Sequence, residues 1–461
     1  MRLFFANLAS IVFVLFLASL FSCASSKAKS QDDSLFYEQN LPLFKEAALS
    51  NGIPVTFKNI PLEKNLELRI IFLGGASVCP KNKAGLDQLT FDLILDCNPK
   101  IKELSSRGLY YSVSACLLDY SYCGFNCSAQ DFFESLDAFA PSLLSPEYNH
   151  QDYLKKEAAA SAEAFDKSEN PRYELLESVK KQIYASTPYL EGPYHKKTSR
   201  VSEYDIEKNL SQLLNASRIQ IIAAGNFSYK ETDSAKAKQK KKSEGQLFDE
   251  RAAALLEKLE GLFGTLEAAP WSAPNAGSLS VSKKKELLVR SEFAGGDYCA
   301  ALCVAAPSRA DEDYEAFALG TLALDSVLRR ELVEAKKIAS YAGSAVLNAK
   351  KSAALVLMGG VKQDINYKQS LDAALAMFPD YNDLAGVLDV YKNIYVSRVV
   401  GSSHNAGATL DQMASSAVYQ KSPLAFIEKP KKIRAATVQD VTDAYEKYFR
   451  SDNSLFMLLS N

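Results

Sequence analysis

The sequence predicts an α+β fold of two duplicated halves, each an antiparallel-rich sheet packed with helices. Three observations predict it. One order of elements (a strand, a helix, a β-pair, then several helices) occurs twice, each time over about 180 residues, far longer than a solenoid repeat. Helices come in runs instead of alternating singly with strands, as they do when set against an antiparallel sheet. The 461 residues are 47% hydrophobic and 23% charged, enough for two or three domains with ordinary cores. Global disorder is thereby excluded, and a net charge of −2 gives no reason to expect nucleic acid as a partner.

The first residues stand apart. Arg2 precedes an apolar run from Leu3 to Phe21, followed by Ser22-Cys23 and a polar stretch. That is the charged start, apolar middle and small-residue exit of a secretory signal. Leu20-Phe21-Ser22-Cys23 resembles a bacterial lipoprotein cleavage site, with Cys23 as the lipidated residue. The alternatives are an uncleaved anchor, since about 20 apolar residues can span a bilayer, and a released secreted protein. The first two readings place the chain outside the cytoplasm, in the periplasm or at the cell surface, held to a membrane. Residues 1–23 are thus expected to be a signal and 24–40 a polar tether.

Beyond the tether, Leu41 to Asn51 reads as a short helix and Pro54 to Lys58 as a strand. Leu66 to Gly75 is a second strand. Gly85 opens an apolar helix, and another short helix lies near Pro99 to Ser106. Tyr110 to Asp119 and Tyr120 to Ser128 read as a β-pair. Helices follow over Asp131 to Leu144, Tyr153 to Asp166, Pro171 to Ala185 and Val201 to Leu214 on their apolar spacing. Ile219 to Gly225 closes the half as a buried strand, giving a domain over 41–227. Residues 228–285 hold Lys236, Lys238, Lys240, Lys241 and Lys242, then Phe248 to Phe263, which reads as a helix, and a Pro- and Gly-punctuated loop. Residues 286–461 repeat the order: strands near Leu287 and Tyr298, a long helix from Glu312 to Leu332, and a β-pair over Ile338 to Asn348 and Ser352 to Gly360. Helices follow over Tyr367 to Phe378, Asp383 to Arg398, Ala406 to Tyr419 and Val438 to Phe449, and Ser454 to Leu459 is the last strand.

Of the eight cysteines, Cys123 and Cys127, and again Cys299 and Cys303, stand four apart within strands, so each pair shares one strand face. No C-x-x-C is present, and the simplest reading is buried small apolar residues.

The frame for chemistry is Gly85-Leu86-Asp87-Gln88-Leu89-Thr90-Phe91-Asp92-Leu93. With Asn51-Gly52-Ile53-Pro54-Val55, Phe72-Leu73-Gly74-Gly75 and Thr437-Val438-Gln439-Asp440-Val441, it resembles the insulinase/pitrilysin zinc peptidases, the inverzincins, to which the mitochondrial processing peptidase belongs. In that family the helix carries H-x-x-E-H: two histidines bind zinc and the glutamate is the general base. Those positions here read Gln88, Phe91 and Asp92. The stretch from Tyr153 to Pro171 resembles the helix that supplies the third ligand, which places Glu163 at the ligand position and Lys156 at a second acidic one. The resemblance also implies a substrate-holding Arg and Tyr, for which Arg330 and Tyr341 stand nearest, out of the family's register.

Phe91 offers no proton acceptor, so a catalytic residue is not expected and no cofactor is required. His150, His195 and His404 stand in no zinc-binding spacing. No G-x-S-x-G, Walker or Rossmann signature is present. The resemblance implies an inactive peptidase homologue that holds an extended peptide and pairs with an active paralogue as a heterodimer. Two alternatives stand beside it: a hydrolase using Asp92 and Glu163 with zinc or another metal, and a tethered scaffold or binding lipoprotein.

Overall fold

The computed structural model describes residues 33–230, 242–275, 279, 285–290, 298–350, 354–361, 366–379, 381–449 and 453–460. The signal, Cys23, most of the tether and the run of lysines from Lys236 to Lys241 lie outside the described residues.

The first half forms a six-stranded sheet from β1 (Phe44–Ala48), β2 (Pro54–Asn59), β3 (Asn65–Leu73), β4 (Tyr111–Cys116), β5 (Tyr120–Ser128) and β6 (Ile219–Gly225). Its strand order is β1-β2-β6-β3-β5-β4. The second half forms a five-stranded sheet from β7 (Lys285–Arg290), β8 (Tyr298–Ala305), β9 (Ala339–Leu347), β10 (Ala354–Val361) and β11 (Ser454–Ser460), in the order β7-β11-β8-β10-β9. Leaving out β1, the two orders are the same. The parallel pair also recurs in place: β2 with β6 and β7 with β11, every other pair being antiparallel.

Helices α1 (Asp33–Asn40), α2 (Leu86–Asp96), α3 (Pro99–Ser106), α4 (Phe132–Leu144), α5 (His150–Ser168), α6 (Pro171–Ile183), α7 (Glu203–Leu213) and α8 (Glu244–Phe263) accompany the first sheet. The second half contributes α9 (Tyr314–Leu328), α10 (Tyr367–Ala376), α11 (Tyr381–Ser402), α12 (Ala406–Gln420), α13 (Lys429–Ala435) and α14 (Val438–Ala444). Capping boxes at Asn149, Ser202, Ser243 and Thr437 start four of these helices, each satisfying amides that the first turn leaves open.

Two expectations are corrected. The stretch from Leu41 to Asn51 is not a helix: after one tight turn, Phe44–Ala48 pairs antiparallel with β2, Phe44 opposite Lys58 and Ala48 opposite Pro54. Asn51-Gly52 sits in the connecting turn with Gly52 at φ +88°, a left-handed conformation that a glycine adopts without strain. The helix read as ending at Arg398 runs on through Gly401 to Ser402.

Each sheet buries both faces, and the halves exchange cover. Along β3, Leu66, Leu68, Ile70 and Phe72 enter the first half's own core with α2, α4 and α8. Ile71 faces the other way, onto Leu410, Met413, Ala414 and Val418 of α12 from the second half. Along β8, Ala300, Leu302 and Val304 face their own helices, whereas Cys299, Ala301 and Cys303 meet Leu175, Val179 and Ile183 of α6 from the first half. The period of two that sorts these residues is the strand's own geometry. An ion pair adds to one seam: Arg69 Nε donates to Glu67 at 2.6 Å and Nη1 to Asp411 of α12 at 2.5 Å. Burial alone would lower the Arg69 pKa, but Glu67 and Asp411 hold it above its ordinary value.

Candidate functional site

Helix α2 begins at Gly85, whose φ of +80° and close approach to the His195 backbone leave no room for a side chain. A Cβ there would stand 2.3 Å from the His195 nitrogen. The helix is apolar on two sides. Leu86, Leu89 and Leu93 pack against Val201 and Ile206, while Phe91, Ile94 and Leu95 enter the core of the first sheet. Phe91 is fully buried, its ring stacked on Phe72 at 5.7 Å between centroids. The position where the resemblance calls for a general base is therefore part of the sheet–helix core.

What remains is a polar stripe of Gln88, Asp92 and Asp96, one helical turn apart. Gln88 Nε2 donates to Asp92 Oδ1 at 2.8 Å and to Ser114 Oγ on the edge strand β4 at 2.9 Å. Burial pushes the Asp92 carboxyl up to about 6, against the lowering effect of the Gln88 bond. Lys156, read as a charge reversal, reaches from α5 to Asp96 at 2.6 Å. Glu163 is mostly exposed and pairs with Lys167, one turn on, at 2.6 Å.

These residues do not fit a catalytic zinc. Such a site takes three protein ligands and an open position for water. Here an amide is spent on its neighbours, a phenyl ring faces the core, and Glu163 is tied to its own helix. Among the described residues, no group of three or more His, Cys, Asp and Glu side chains is gathered to hold a metal ion.

The histidines are spread apart. His150 is exposed at the start of α5 with Nδ1 2.8 Å from Glu203, and His404 is exposed beyond α11. His195 sits beside α2, its Nε2 3.3 Å from Ser161 Oγ and its buried Nδ1 without a partner. Burial lowers its pKa. Sequence reading missed Ser114, Ser161 and the role of His195 as the wall against Gly85; only the last had a signal, the glycine at the helix entry.

Arg330 and Tyr341 have separate occupations. Arg330 is exposed and pairs with Glu331 at 3.0 Å. Tyr341 lies under the Arg172 guanidinium of α6, 3.9 Å from the ring centroid, with its hydroxyl 3.6 Å from Cys299 Sγ. The free thiols of Cys123 and Cys127 share the first core, and those of Cys299 and Cys303 share the core formed with α6. No described helix is long and apolar enough to cross a membrane.

No family model and no curated protein matches this chain. Solved structures do. A protease from Helicobacter pylori aligns with TM-score 0.74 at 16% identity, covering 91% of this chain and 99% of that chain. The peptidase M16 inactive domain from Pseudomonas fluorescens aligns with TM-score 0.73 at 14% identity, over 90% of this chain and 97% of that one. A chain of Complex III2 from Candida albicans, Inz-5 bound, aligns with TM-score 0.69 at 14% identity, over 90% and 95%. The chain thus has the fold of M16 peptidase-like proteins, as the resemblance implied.

Proposed function

We propose that this chain is a non-catalytic homologue of M16 zinc peptidases, tethered to a membrane by its N-terminal segment, that binds an extended peptide and serves as the partner subunit of an active paralogue. One observation carries the reading: Phe91 fills the general-base position and is stacked into the core, where it cannot activate water. General-base catalysis is worth about 10²–10⁴-fold in rate, and no nearby side chain restores it. The likeness in fold to a domain described as inactive supports the same reading. Strand β4 lies at the edge of its sheet, where an added peptide strand can pair.

A second reading, a tethered scaffold that no longer holds peptides, draws on Arg330 and Tyr341, both engaged elsewhere. The third, a hydrolase using Asp92 and Glu163, has less support, because Glu163 is committed to Lys167.

The test is a cleavage assay on this chain alone, on a paralogue that carries an intact H-x-x-E-H, and on the two together. The expected result is no cleavage by this chain with or without zinc, and faster cleavage by the pair than by the paralogue. Cleavage by this chain alone, abolished by chelator and by Glu163→Gln, would overturn the reading. An inert chain that takes up no labelled peptide and leaves the paralogue's cleavage unchanged points to the scaffold instead.

A further inference from the structure

Around the start of α9 the structure opens a cleft of about 1310 Å³, walled by α1, residues 309–313, the end of α12 and the α13–α14 region. That exceeds the roughly 300–1,000 Å³ of ordinary small-ligand sites. In its wall lies Glu315, only 8% exposed, with Oε1 buried and without a hydrogen-bond partner. Gln420 Oε1, also on the wall, is likewise unpartnered, while its Nε2 donates to the Arg309 carbonyl at 3.2 Å. Both open atoms are acceptors, so the missing group is a donor.

No local cation bonds Glu315 Oε1, although Lys432, Lys429 and Arg309 stand near enough to draw its pKa down against the rise that burial causes. Arg309 Nε donates to Asn348 at 3.2 Å, and its guanidinium lies over Tyr314. Lys429 donates to Gln412 at 2.9 Å, and Lys447 pairs with Asp313 at 2.7 Å. The lining as a whole holds eight carboxylates against four cationic side chains, with Glu312 and Glu428 exposed on the rim. The sign of the cleft therefore favours a positively charged occupant.

The duplicated position supplies a control within the same molecule. Asp87 is the second residue of α2, as Glu315 is the second residue of α9. Asn209 Nδ2 donates to Asp87 at 2.9 Å, and the cavity beside it holds only about 10 Å³. The first half fills the helix entry and satisfies its acid, whereas the second half leaves its acid with one oxygen unpartnered in the wall of a cleft.

We propose that this cleft binds a linear polycation, a polyamine or an Arg- and Lys-containing peptide, seating one ammonium or guanidinium group on Glu315 and Gln420. The site is independent of whether the chain pairs with a paralogue.

Isothermal titration of the full chain with spermine, with an Arg/Lys/Gly peptide and with an Asp/Gly peptide tests this. The expected result is saturable, salt-sensitive binding of at least one cation and none of the acidic peptide. Glu315→Gln, with an unchanged circular dichroism spectrum, is expected to weaken that binding by about tenfold, the scale of one charge-assisted hydrogen bond. Should Glu315→Gln fail to fold, the exposed rim pair Glu312→Gln and Glu428→Gln is expected to weaken it about threefold through the lost field alone. Saturation by spermine alone assigns the site to polyamines, and saturation by the basic peptide alone assigns it to polypeptide. No saturation by either, or unaltered affinity in the folded variants, overturns the proposal.

Discussion

The helices α2 and α9 enter their sheets at the same step of a repeated topology, yet they put that entry to different use. In the first half, α2 is wedged between two apolar clusters, its second residue is answered by Asn209, and its one polar stripe is closed by Gln88, Ser114 and Lys156. In the second half, α9 packs through Phe317, Leu324 and Leu328 but leaves Glu315 Oε1 unpartnered in the wall of a large cleft. The sheets repeat because their hydrogen-bond ladders and alternating faces tolerate little change. Helix entries diverge because only a few side chains decide whether they are filled or open.

The largest expected effect is at the closed entry. Phe91→Glu, which introduces the glutamate that the resemblance calls for, is expected to destabilise the chain by about 4 kcal/mol or more, since it buries a carboxylate in place of a stacked ring. Urea denaturation checks this. A stable Phe91→Glu protein would mean that the position opens toward the stripe, and the contrast between the halves would fail.

Next in size is the effect of two buried lysines on the α12 side of the molecule, Lys58 and Lys429. Lys58 donates to the Ser403 carbonyl at 3.1 Å and lies 5.4 Å from the rings of Phe44 and Phe426; burial lowers its pKa from 10.5 to about 7. Lys429 is lowered to about 7 by burial as well. Between pH 7 and 10.5 the unfolded chain holds the extra protons, so these lysines make stability rise with pH across that window and add no slope below it. Lys58→Met is expected to reduce the slope and to gain on the order of 2–4 kcal/mol at pH 7. Denaturation midpoints measured from pH 7 to 10 read the difference.

A smaller effect compares the two acids directly. Asp87→Ala removes one of the two acceptors of Asn209 Nδ2 in a closed site, leaving Thr90 Oγ1 at 3.2 Å, and is expected to cost about 1–3 kcal/mol. Glu315→Gln, with no donor to lose at Oε1, is expected to change stability by less than about 1 kcal/mol when no ligand is present. Equal losses in thermal unfolding would remove the distinction between closed and open entries.

The smallest effect is Asp92→Asn. With its carboxyl raised to about 6 from 3.8, the folded chain holds the extra proton between those values, so stability falls as pH rises from 3.8 to 6 and the loss persists above. Asn keeps an oxygen for Gln88, so the variant is expected to lose that slope and to be about 1–2 kcal/mol more stable at pH 7. Tm measured at pH 4 and pH 7 separates the two proteins.

Much of the frame was legible. The alternation in β3 and β8, the apolar run of α2 and the doubled element order all follow from local periodicity. The error at Leu41 to Asn51 has a physical reason: Lys45, Glu46, Ala47 and Ala48 favour a helix, but pairing across the Asn51-Gly52 turn with β2 outweighs that preference. The site was legible only as a list of residue types. That Gln88 would bond to Ser114, that Glu163 would pair within its own helix, and that Tyr341 would lie under Arg172 all depend on elements far apart in the chain.

That the chain repeats one architecture, and that a phenyl ring stands where the family resemblance calls for a proton acceptor, can be read along the chain, because residue type and period are local properties. Which entry is filled and which is left open was decided only by the tertiary structure. Whether a buried carboxylate meets an amide from a distant helix or an empty cleft depends on how separate elements pack, which no local pattern encodes.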